Sequence, residues 1–148
     1  LLHICKKKLI DMYPEELVAP MRADLTNNGF TELRDTEQVD NTLNEIKGTA
    51  LLVVNSVCGC AAGSARPGAV ESLKGDKKPT HLYTVFAGQD KDATNQARKY
   101  LLPYPPSSPS IGLFKDGELV HFVERHHIEG RSAEMISNHL KEVYNEFC

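Results

Sequence analysis

Thr49-Ala50-Leu51-Leu52-Val53-Val54-Asn55 is an almost unbroken run of aliphatic residues. A strand wetted on one side alternates apolar and polar residues, so this run demands cover on both faces. A strand of that kind belongs in the middle of a sheet with helices above and below it, which restricts the chain to an α/β architecture. The run leads directly into Cys58-Gly59-Cys60, at the point where a buried strand must turn into a helix. A thiol at a helix N-terminus meets unpaired backbone N–H groups and the positive end of the helix dipole, both of which favour thiolate. The spacing therefore points to redox or thiol chemistry.

The flanking segments extend the same pattern. Pro14 to Asn28 has helical spacing at Leu17, Val18, Met21 and Leu25, with Pro20 predicting a kink or a fresh start and Asn28-Gly29 a stop. Phe30 to Leu33 alternates like a short strand. Asp35 or Thr36 caps a predicted helix over Glu37–Lys47. Beyond the cysteines, Ala61 to Leu73 reads as a helix kinked at Pro67-Gly68. His81 to Ala87 reads as a second buried strand, followed by a helix from Lys91 to about Leu102 with Asp90 as its cap. Ser110–Phe114 and Glu118–Glu124 flank Lys115-Asp116-Gly117 as a hairpin, and Ser132–Phe147 forms a last helix with Met135, Ile136, Leu140, Val143, Tyr144 and Phe147 on its apolar face. Alternating strands and helices imply parallel pairing first, with antiparallel strands added by the hairpin.

At 148 residues the size is that of one domain, able to bury a core without disulfide staples. With 17 Lys and Arg against 20 Asp and Glu, the net charge of −3 and the absence of a basic stripe argue against a nucleic-acid surface. No apolar run is long enough for a membrane span. In the opening ten residues the basic cluster follows the apolar ones, the reverse of a signal peptide, so residues 1–11 are expected to be an extension and 12–148 the domain. The expected location is the cytoplasm. In that reducing compartment a close cysteine pair is more often catalytic or metal-binding than structural. Cys5 and Cys148 lie at the two ends, and a Cys58–Cys60 bond would close too small a loop to stabilise a fold. Two readings of the pair stay open on residues alone: a redox dithiol, or two ligands of a zinc or iron–sulfur site that would need further ligands from elsewhere.

The topology, the dithiol after the long buried strand and Pro109 just before the hairpin together resemble the thioredoxin fold. Ser108-Pro109-Ser110-Ile111-Gly112-Leu113-Phe114-Lys115-Asp116-Gly117-Glu118 is similar to the thioredoxin segment in which a cis-proline opens a strand facing the dithiol. More specific strings resemble the bacilliredoxin family: Val54-Asn55-Ser56-Val57-Cys58-Gly59-Cys60-Ala61-Ala62-Gly63 with Ala65-Arg66-Pro67, Val85-Phe86-Ala87-Gly88-Gln89-Asp90-Lys91, Pro106 to Ser110, and Val120-His121-Phe122 with Arg125-His126 and Ile128-Glu129-Gly130. The resemblance runs from about Tyr13 to the end.

It implies a thioredoxin-like α/β fold, a central mixed sheet flanked by helices with an additional N-terminal helix. It also implies removal of bacillithiol, a small carboxylate-bearing thiol, from mixed disulfides on proteins. Cys58 would be the nucleophile and Cys60 the resolving thiol, with Ser108 and Pro109 holding substrate beside the sulfurs. No tightly bound cofactor or metal is implied; a low-molecular-weight thiol is co-substrate and S-thiolated proteins are the partners of a monomer or weak dimer. A disulfide across one residue is tight and easily reduced, which suits exchange or isomerisation. An interaction module without chemistry is the bland alternative. Arg66 is ordinarily a solvated helix residue but could draw in an anionic thiol; Gln89 and Asp90 read as a helix cap, and Cys148 as a mobile terminal thiol that could alternatively resolve or dimerise.

Overall fold

The computed structural model describes residues 12–148; the expected extension over 1–11, with Cys5, lies outside the described residues. Helix α1 (Glu15–Thr26) leads to β1 (Thr31–Glu32), α2 (Thr36–Leu43) and β2 (Thr49–Asn55). A π-helical turn (Ala61–Ala65) runs into α3 (Arg66–Ser72), followed by β3 (His81–Phe86), α4 (Lys91–Lys99), β4 (Ser110–Lys115), β5 (Glu118–Val123), a 3-10 turn (Arg125–His127) and α5 (Ala133–Phe147). The strands form one sheet in the order β1-β3-β2-β4-β5. β1 and β2 both pair with β3 in parallel, while β4 runs antiparallel to β2 and to β5.

All seven residues of β2 are buried, as an aliphatic run without alternation requires. Its side chains divide by the two-residue pleat. Leu51 and Val53 join a core built with Leu25 of α1, Ala69 of α3 and Ile136, Leu140 and Tyr144 of α5. Ala50, Leu52 and Val54 join the opposite core with Val39 and Leu43 of α2 and Ala93 and Ala97 of α4. Each fully buried Leu or Val here stabilises the fold by about 1.5–3 kcal/mol relative to exposure.

Several boundaries differ from expectation. Helix α1 is continuous through Pro20, where a break was possible. Helix α2 ends at Leu43 rather than Lys47, although Ile46 stays buried without helical backbone. The irregularity after the cysteines precedes Pro67, as a π turn, where the expected kink was at Pro67-Gly68 itself. Met135 is exposed instead of lining the apolar face of α5. The hairpin turns at Asp116 (φ 50°) and Gly117 (φ 86°), the left-handed pair that suits the twist of two-residue loops.

Asp90 does not cap α4 with its side chain. Its carboxylate instead accepts from Arg22 at 2.6 Å and from Arg34 at 3.3 Å. Buried Arg22 also reaches Glu15 and Glu32 at 2.8 and 2.7 Å and lies over the Phe86 ring. Gln89 donates to the Tyr13 carbonyl and accepts from its N–H. Both residues thus fasten α1 to the sheet.

Candidate active site

The site begins where β2 stops. Asn55 is buried, and its amide oxygen accepts from the Ser56 N–H and from Arg66 Nη1, both at 2.9 Å, while its Nδ2 donates to the Met21 carbonyl. Arg66 Nη1 also donates to the Ser56 carbonyl at 2.8 Å, and its Nε pairs with Asp24 at 3.0 Å. Arg66 is therefore not the solvated residue its sequence position suggested. It is buried and holds the chain just ahead of the cysteines, with Nε and Nη1 spent on the fold.

From this anchor the chain enters the helix. The Cys58 carbonyl accepts from the N–H groups of Ala61 and Ala62, so Cys58 stands at the first turn. The Cys58 N–H donates to Ser56 Oγ, and the Cys60 N–H donates to Cys58 Sγ at 3.3 Å. Both thiols are free and half-buried. Burial pushes Cys58 up, but the amides of Ala61 and Cys60, the Cys60 thiol and the charge of Arg125 outweigh it and hold Cys58 below the ordinary cysteine range. Cys60 moves the other way. Burial, its thiol–thiol contact with Cys58 and the charges of Cys58 and Glu129 hold it above that range. Two thiols separated by one glycine are thus unlike: one tends to thiolate, the other to thiol.

The second half of the site comes from β4 and β5. Val54 pairs with Ser110, so Ser108 and Pro109 lie at the sheet end where β2 delivers Cys58. The Ser108–Pro109 peptide is cis, as the resemblance implied; Leu102–Pro103 is cis as well, which the sequence reading did not anticipate. Ser107 accepts at its carbonyl from Ser110 Oγ. Arg125 then bridges the two halves. Its Nη1 donates to the Ser108 carbonyl at 3.2 Å and its backbone N–H to Ser107 Oγ at 3.4 Å, while its charge bears on both sulfurs.

Arg125 and its ion-pair partner Glu129 (2.6 Å) were not among the predicted site residues. The signal was available: a hairpin centred on Asp116-Gly117 brings the residues following β5 back beside those preceding β4, and Ile111 indeed pairs with Val123. Among the described residues no group of three His, Cys, Asp or Glu side chains is arranged to hold a metal ion. No described helix is long and apolar enough to cross a membrane.

Comparison with known proteins gives the family and the fold. A family model described as disulphide isomerase matches residues 13–148. A bacilliredoxin of Cytophaga hutchinsonii is 66% identical over 135 residues, covering 91% of this chain and 99% of that protein. A bacilliredoxin of Halalkalibacterium halodurans is 55% identical over 136 residues, covering 92% and 94%. Among solved structures, thioredoxin O2 from Arabidopsis thaliana superposes with a TM-score of 0.58 at 15% identity over 80% of this chain and 96% of the other. Fasciola hepatica thioredoxin gives 0.53 at 20% identity, covering 80% and 100%. These two likenesses concern the fold. With the dithiol at the head of a helix and relatives matched over nearly their whole length, the chain belongs to the bacilliredoxin (disulphide isomerase) family and is a thiol–disulfide oxidoreductase of thioredoxin-like fold.

Proposed function

We propose that this protein removes bacillithiol, or a similar small thiol, from mixed disulfides on client proteins by way of Cys58. The observation that carries the reading is the place of Cys58 at the first helical turn, its sulfur accepting from the Cys60 N–H, with the two thiol acidities displaced in opposite directions. A nucleophile needs thiolate at neutral pH, whereas a resolving thiol should stay protonated until the first exchange is complete. The Cys58 thiolate attacks the small-thiol sulfur of the mixed disulfide. That bond breaks, its electron pair leaves with the client sulfur, which takes up a proton, and the small thiol is now bonded to Cys58. Cys60, once deprotonated, attacks Cys58 Sγ, forming the internal disulfide and expelling the small thiol. Alternatively, a second small thiol attacks the adduct, leaves as its own disulfide and restores the Cys58 thiolate. The oxidising equivalents arrive with the client; in the second route they depart in the small-thiol disulfide, and in the first they stay in the Cys58–Cys60 disulfide until external thiol reduces it, so neither route calls for a tightly bound cofactor. S-thiolated proteins in the cytoplasm are the partners in this scheme, with Ser108 and Pro109 lining the approach.

A client carrying one bacillithiolated cysteine provides the test. Mass spectrometry should find the small thiol on Cys58 after mixing, and Cys58→Ala should release no client thiol above background. Cys60→Ser should still release the client, and should turn over when fresh small thiol is supplied. Equal release by Cys58→Ala and the unmodified protein would overturn the assignment.

A further inference from the structure

Arg125 is tethered at three of its polar groups, and the tether leaves Nη2 of the guanidinium free. The backbone N–H is held by Ser107 Oγ, Nη1 by the Ser108 carbonyl at 3.2 Å, and Nε by Glu129 at 2.6 Å. Among the described residues Nη2 has no hydrogen-bond partner, and the side chain is 45% exposed. A guanidinium fixed in this way holds the unspent N–H bonds of Nη2 in place, which suits a carboxylate better than a mobile ammonium would. The same tether occupies the carbonyl of the residue before the cis proline. An extended client backbone that sought that acceptor would have to share it with Arg125.

We propose that Arg125 is the specificity-determining residue of the dithiol site, selecting mixed disulfides whose small-thiol half carries a carboxylate. This rests on the exchange chemistry proposed above. Recognition then falls on the transferred thiol rather than on the client chain, which allows one protein to serve clients of unrelated sequence. Glu129 opposes it: its carboxylate shares the cluster and repels an incoming anion, so the preference is a balance between the two residues.

The experiment uses one client protein modified at a single cysteine with either mercaptosuccinate, which is anionic, or 2-mercaptoethanol, which is neutral. Client-thiol release is measured for each, normalised to release by dithiothreitol. The ratio of the two rates is internal to each variant, so a partly unfolded preparation does not alter it. The unmodified protein should favour the anionic adduct by about two- to fivefold, the range for an exposed charge pair. The preference should shrink toward one in 1 M salt. Arg125→Gln should abolish it, Arg125→Lys should keep part of it, and Glu129→Gln should widen it. An unchanged ratio in Arg125→Gln overturns the proposal. So does an equal slowing of both substrates with the ratio preserved, which would make Arg125 a stabiliser of the thiolate alone. Release of neither adduct by the unmodified protein would instead refute the exchange chemistry itself.

Discussion

Gly68 packs α3 tightly against α5, and replacing it with alanine tests whether that contact fixes the helix carrying the dithiol. A Cβ built on Gly68 would lie 2.7 Å from both Cβ and Cγ2 of Ile136 and 3.1 Å from the Ala133 carbonyl oxygen. Ile136 is buried, and its Cβ cannot swing aside as the end of a long side chain could. Reaching an ordinary contact requires the helices to part by about 0.7 Å. Overpacking of this kind costs about 1–3 kcal/mol. Alanine returns up to about 1 kcal/mol through its better helix propensity. The net expectation for Gly68→Ala is a loss of about 1–2 kcal/mol, or about 2–8 °C in Tm for a domain of this size. Urea unfolding should show a lower midpoint with an unchanged m value. Gly63, in the π turn of the same segment, is the control: beyond its own turn nothing lies within 4 Å of its Cβ position, so Gly63→Ala should be neutral or stabilising. A Gly68→Ala variant as stable as the parent, or more stable, would refute the close-packing argument.

Other expectations concern charge and thiol acidity. Alkylation across a pH series should label Cys58 with an inflection below that of an ordinary cysteine and Cys60 with one above it, as read by peptide mass spectrometry; earlier labelling of Cys60 would contradict the assigned roles. Arg22→Ala would strand the largely buried carboxylate of Glu32 and leave Asp90 with Arg34 alone, at a cost of about 3–5 kcal/mol in urea unfolding, and a loss no larger than that of a surface ion pair would show that the cluster is solvated. Burial, with the nearby His139 and His127 and against Glu146, holds His121 below the ordinary histidine range. The unfolded chain therefore takes up this proton first, so Tm should fall as the pH drops through that range and level off below the folded value, with the slope reduced in His121→Gln.

The two periodicities of the chain were sufficient to lay out its architecture. An aliphatic run with no alternation can only be a strand covered on both sides, and β2 is buried from Thr49 to Asn55 with its side chains shared between two cores. The dithiol at its end was equally legible, because a strand-to-helix junction is defined by local chain chemistry. The cap was legible to within one residue: of Asp35 and Thr36 it is Asp35 whose side chain accepts from the Gln38 N–H at 2.8 Å. The roles of polar residues were not legible in the same way. Arg66 and Asp90 read as a solvated side chain and a helix cap, yet one holds Asn55 and Ser56 from within the core and the other neutralises Arg22. A charged side chain is solvated or buried according to which distant groups face it, and those groups are brought together only by folding.

The sequence by itself determined the α/β class, the two layers of helices, the hairpin and the position of the thiols, since each follows from patterns spanning a few neighbouring residues. Tertiary structure alone decided that the two cysteines differ in acidity. Cys58 meets the amides of the first helical turn and the charge of Arg125, while Cys60 meets its partner thiol and Glu129. It also decided that Arg125, far along the chain, should hold the carbonyl before Pro109. Electrostatic effects depend on distance through space, and that distance is set by the register of β4 on β2 and of β5 on β4.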